Sequence, residues 1–206
     1  DVFFSSVMTP PVASNFTSDP RIRYDRLSGK WILIIIDVPG GAGTQANKVL
    51  FAYSNTSTIT AGTVWTYYSF LGQTGVFLDY PTLGIDINAL YIGGNMFTTA
   101  GAFNGTNGYV LNRNTLLSGG AVTVYSFFNL ATSSGAGPYT PQGVDNFNTA
   151  ATEGYFIGVD NASFGLLQMR RVSNPGGVAT ISANISITVP STNSPRTVPH
   201  LGNTGG

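Results

Sequence analysis

Cysteine is absent from the 206 residues, which removes disulfide frameworks, cysteine-ligated zinc and thiol nucleophiles together. Histidine stands alone at His200. Charged residues make up 9% of the chain, against about a quarter in ordinary globular proteins, and nine cations balance nine anions. A chain with no net field has nothing to draw it to a phosphate backbone or an anionic membrane, so nucleic-acid binding is set aside. Long apolar runs are missing too. The longest, Trp31 to Ile36, is strand-sized and well short of the roughly 20 residues of a membrane-spanning helix. No basic and apolar leader precedes Asp1, and a secretory signal is read as absent or already removed.

What the chain does have is glycine, at 26 residues, and aromatics at 12%, the profile of a turn-rich, aromatic-packed β fold in a single domain. Asn, Thr, Ser and Gly stand where Lys and Glu would usually cover a surface. That composition tilts the reading toward a secreted or cell-surface protein. Sequons at Asn15, Asn55, Asn104, Asn161 and Asn184 are no more than so much Asn, Ser and Thr produces by chance.

A repeat organises the sequence. Asp19-Pro20-Arg21-Ile22-Arg23-Tyr24-Asp25 lines up with Tyr80-Pro81-Thr82-Leu83-Gly84-Ile85-Asp86 and with Thr140-Pro141-Gln142-Gly143-Val144-Asp145, and Pro199-His200-Leu201-Gly202 begins again; the prolines fall 61, 60 and 58 residues apart. Within each unit follow an aromatic-aliphatic run (Trp31 to Ile36; Leu90 to Gly93; Tyr155 to Val159), a third run (Val49 to Tyr53; Tyr109 to Leu111; Leu166 to Met169) and a fourth (Val64 to Phe70; Val122 to Phe128; Ala179 to Val189). Ser28-Gly29, Pro39-Gly40-Gly41, Asn104-Gly105, Asn107-Gly108, Ser118-Gly119-Gly120 and Asn174-Pro175-Gly176-Gly177 read as the turns between them. Gly93-Gly94 and Gly40-Gly41-Ala42-Gly43, with no helix after them, also read as hairpin turns and not as phosphate loops. Helical periodicity is nowhere convincing, whereas Ile181 to Val189 alternates with the period of a half-buried strand.

Four antiparallel strands at fixed period are the pattern of a propeller blade. The prediction is an all-β, β-propeller-like fold of about three blades, near residues 19–78, 79–138 and 139–198, with 199–206 opening an incomplete fourth. Three blades do not close a ring, so closure is expected from missing blades or from oligomerisation. Proline, which has no donor, is tolerated at the head of a strand, and it marks where the chain enters each innermost strand. Asp19, Tyr80 and Thr140, the residues before the prolines, are therefore expected at one mouth of a central channel.

Asp19-Pro20 through Ser28-Gly29-Lys30-Trp31 resembles the opening blade of exported bacterial β-propeller proteins of the broad sialidase-like group. Ser28-Gly29-Lys30-Trp31 and Ala61-Gly62-Thr63-Val64-Trp65 resemble the turn end of the structural Asp-box of those blades, with Asp25 as the aspartate of the first and only Ser57 or Thr58 in the acid position of the second. Asp19-Pro20 is also similar to the channel mouth of five-bladed glycoside hydrolases. That resemblance implies Asp19 as a catalytic carboxylate, with Asp79 as the second acid hydrolysis needs. The third unit breaks the pattern with Tyr139-Thr140, and the lone glutamate, Glu153, falls before Tyr155, away from the channel. A sialidase would need an arginine cluster; Arg21 and Arg23 lie near the channel strand and Arg113, Arg170, Arg171 and Arg196 elsewhere.

The leading expectation is a non-catalytic extracellular module whose channel mouth, at Asp19, Arg21, Tyr80 and Thr140, binds a glycan or protein surface. Alternatives are a glycoside hydrolase using Asp19 and Asp79, and a self-assembling structural protein. No cofactor is expected. Calcium at Asp145-Asn146 or Asp160-Asn161 is a minor reading, since neither has the spacing of a calcium loop. Tyr67, Tyr68, Phe70, Phe127 and Phe128 are expected to pack between blades.

Overall fold

The computed structural model describes residues 2–191 and 193. Arg196 and the fourth proline segment, with His200, lie outside the described residues. The first sheet is β1 (Phe16–Asp25), β2 (Lys30–Val38), β3 (Lys48–Ser54) and β4 (Trp65–Leu71), in that order. The second holds β5 (Val76–Asp79), β6 (Gly84–Ile85), β7 (Ala89–Thr98), β8 (Phe103–Asn112) and β9 (Val124–Thr132), with the helix α1 (Arg113–Leu117) between the last two. In the third, β10 (Pro138–Gly143), β11 (Glu153–Asp160) and β12 (Leu166–Ser173) are followed by β13 (Thr180–Ile181) and β14 (Ile185–Thr188). Because β5 and β6 both pair with β7, and β13 and β14 both pair with β12, each pair is one interrupted strand. The chain is thus all-β, with three consecutive antiparallel sheets, each four strands wide. No helix among the described residues is long and apolar enough to cross a membrane.

The sheets pack face to face. Ile32, Ile34 and Ile36 alternate inward from β2 and, with Val49 and Phe51 of β3, meet Leu83, Ile85, Leu90 and Ile92 of the second sheet. Each fully buried isoleucine here contributes roughly 1.5–3 kcal/mol. The other face of the second sheet sends Tyr91, Val110 and Leu130 against Phe156 and Val172 of the third. Covered on both sides, β7 is buried at every position from Ala89 to Met96, which explains its continuous apolar run. The outer face of the first sheet, with Leu33, Ile35, Leu50 and Trp65, is covered by Phe4, Val7 and Met8 from the N-terminal segment. Tyr68, Phe70 and Phe127 pack between sheets as expected, whereas Tyr67 joins the N-terminal cover and Phe128 is exposed.

Several sequence expectations need correction. Gly93-Gly94, Asn104-Gly105 and Asn107-Gly108 are not turns but lie inside β7 and β8. Close packing, not chain reversal, demands the first glycine: a Cβ on Gly93 would stand 1.9 Å from the Pro141 carbonyl oxygen of the third sheet. The β7–β8 hairpin turns instead at Gly101, with φ +81°. Ser118-Gly119-Gly120 ends a helix that apolar periodicity did not signal; Asn112 caps it, its Oδ1 accepting from Thr115 N at 3.0 Å. The alternation from Ile181 to Val189 is broken at Ser182, whose Oγ accepts from Arg171 N and splits β13 from β14. The repeated prolines do not head their strands. Pro20 and Pro141 sit within β1 and β10 at register shifts, and Pro81 lies in the gap between β5 and β6, so the missing donor is absorbed by a bulge or break.

Candidate ligand-binding site

The residues before the repeated prolines share one backbone state. Asp19, Tyr80 and Thr140 have φ of +56°, +52° and +45°, a left-handed conformation uncommon for side chains larger than asparagine and disfavoured further before proline. Such strain costs on the order of 1–3 kcal/mol per residue and gathers at functional sites. Here it falls where the ladder of each first strand is interrupted.

Cross-sheet contacts bind this region together. Asn95 of β7 is 2% exposed, and its Oδ1 accepts from Thr140 N at 3.0 Å while its Nδ2 donates to Thr140 Oγ1 at 2.9 Å. The Asp79 carboxyl interacts with that of Asp19. Asp79 also accepts from Tyr80 N at 2.9 Å, and Asp19 from Ser18 Oγ at 3.3 Å. Burial raises the Asp79 carboxyl above its ordinary value, and the neighbouring Asp19 raises it further, against the opposing pull of the Tyr80 amide. Tyr80, Asn95, Tyr139 and Thr140 line a depression of about 280 Å³. Its two tyrosines are 55% and 40% exposed, and Phe103 backs Tyr139 at a ring separation of 5.4 Å.

Asp19, Asp79, Tyr80 and Thr140 are thus gathered where the first strands are interrupted. Arg21 is not tied to them: its Nη1 donates to the Pro20 carbonyl. Arg23 instead pairs with Asp145 at 3.4 Å near the end of β1, where Arg26 lies 5.0 Å over the Phe147 ring, so that the first and third sheets meet there. No family model and no curated protein matches the chain.

The remaining acids have structural work. Asp25 ends β1 by accepting from Leu27 N and Ser28 Oγ and forms a buried ion pair with Arg113. Asp86, five residues past its proline as Asp25 is, accepts from Asn88 N and from the Tyr91 hydroxyl; burial raises its carboxyl despite these donors. Asp145 accepts from Ile85 N of the second sheet, and Asp160 from Gly137 N and Ala162 N. These bonds give both Asp-Asn pairs a turn-forming or sheet-joining role. Glu153 begins β11 and pairs with Arg171. Sequence reasoning missed Asn95 and Tyr139. An asparagine inside the apolar run Leu90 to Phe97 was the available signal, because a buried amide needs a polar partner.

Proposed function

We propose that the three sheets are blades of a β-propeller arc of the sialidase-like kind, and that the mouth of their first strands binds a neutral saccharide or similar polyhydroxylated ligand without chemically altering it. The observation that carries this reading is the set of two exposed tyrosines, Tyr80 and Tyr139, beside the carboxyls of Asp79 and Asp19 and the Thr140 hydroxyl. Tyrosine faces accept the apolar face of a sugar ring, and carboxylates accept hydrogen bonds from its hydroxyls. Strained backbone preorganises these groups, so little ordering is left for the ligand to impose. A low-charge surface fits a secreted or cell-surface setting.

The interaction of the two carboxyls favours binding over hydrolysis. Hydrolysis needs two carboxyls that flank the scissile bond at roughly 5 Å or more, whereas Asp19 and Asp79 interact with each other directly. A glycan array followed by calorimetry on the best ligand tests the proposal. Tyr80→Ala and Asp79→Asn should each abolish or strongly weaken binding, while a glycoside panel yields no turnover in wild type or Asp19→Asn. Binding untouched by both mouth variants, or turnover lost in Asp19→Asn, would sink it.

A further inference from the structure

We infer that the open face of the third sheet is a self-association surface that pairs two copies of this chain through the same face. Residues directly opposite across antiparallel strands share a face. The registers Ile157↔Met169↔Ile185 and Val159↔Leu167↔Ile187 therefore form two apolar rows across β11, β12 and β14. The opposite face, with Phe156 and Val172, already packs on the second sheet. The rows are open in part: Val159 is 54% exposed, Ile185 and Ile187 are each 37% exposed, and Ile157, Leu167 and Met169 are half-buried. Within the chain, apolar sheet faces of this kind are sealed by their neighbours, as Ile32, Ile34 and Ile36 are at 0%. A contiguous apolar face of this breadth marks an interaction site.

The other end of the stack decides the symmetry. A head-to-tail contact would have to use the outer face of the first sheet, and Phe4, Val7 and Met8 occupy it. A copy can then meet the open face only with its own, which gives a closed, two-fold pair. Charge agrees. Glu153 on β11 and Arg171 on β12 stand side by side at one end of the apolar rows, 3.4 Å apart and each partly exposed. A two-fold axis running along the strands between β11 and β12 exchanges these strands, setting Glu153 of one copy against Arg171 of the other. Two sheets so joined would pack as a sandwich about 10 Å thick.

Sedimentation velocity on the whole chain over a wide concentration range tests this. A reversible dimer is expected. Leu167→Glu combined with Ile187→Glu should leave only monomer with an unchanged circular dichroism spectrum. Reversing one charge, Glu153→Arg or Arg171→Glu, should weaken dimerisation several-fold, and the double reversal should restore it; these surface changes remain informative even if the apolar variant fails to fold. A wild type that is monomeric at every concentration, open-ended polymers, or a double reversal no better than the singles overturns the inference. So does a chain ending at Asn193 that dimerises when the whole chain does not, because residues 194–206 would then be the occupant.

Discussion

Replacing Arg113 with methionine should cost about 3 kcal/mol of folding stability, and the reason lies in one ion pair between the first two sheets. Asp25 is 0% exposed and Arg113 is 5% exposed. The guanidinium donates to the same carboxylate oxygen through Nε at 2.9 Å and Nη2 at 2.8 Å. Methionine fills most of the space but leaves a carboxylate in an apolar interface, and stranding one partner of a buried pair costs about 3–5 kcal/mol. Leu27 N and Ser28 Oγ still donate to Asp25, which places the loss at the lower end of that range. Against a typical total of about 5–15 kcal/mol, the change should show as a large drop in the urea midpoint. The double variant Asp25→Asn with Arg113→Met removes the stranded charge while keeping an acceptor for Leu27 N, and should recover most of the loss. A single variant within about 1 kcal/mol of wild type, or a double variant no better than the single, would refute this account of the interface.

Asp79→Asn should raise the melting temperature at neutral pH. The Asp79 carboxyl titrates higher in the folded than in the unfolded chain, so its favourable contribution is complete below the unfolded value and is lost as pH rises through the folded one. The advantage of asparagine should therefore fade on acidification, and a melting curve series from acid to neutral pH that shows no such trend contradicts the upward shift that burial, with Asp19 beside it, gives the Asp79 carboxyl. Gly93→Ala should destabilise by about 3 kcal/mol or more in chemical denaturation, because the added methyl would sit 1.9 Å from the Pro141 carbonyl between tightly packed backbones. Phe4→Ala should loosen the cover on the first sheet, shifting tryptophan emission to the red as Trp65 becomes wet while the far-ultraviolet spectrum keeps its strand signal.

Much of the fold was legible because it depends on local pattern. The repeat placed a four-strand unit in each third of the chain, and the aromatic-aliphatic run from Trp31 to Ile36 marked the second strand of the first unit. The residues before the three prolines were expected at one channel mouth; in the structure Asp79 interacts with Asp19, and Asn95 bonds Thr140, across neighbouring sheets. What misled were the glycines. Gly93 sits in a dipeptide that reads as a turn, yet it serves the approach of another sheet's backbone, and nothing local separates the two uses. Likewise, Arg113 was only one of several arginines away from the channel strand until Asp25, 88 residues away, met it in an interface.

The sequence by itself determined an all-β chain and the period of its four-strand units, because these follow from side-chain pattern, composition and turn chemistry. Only the tertiary structure decided which carboxyls interact, which asparagine holds Thr140, and which outer face is covered. Those depend on distances between residues some 30 to 90 apart in the chain, set when one sheet's apolar face is sealed against the next.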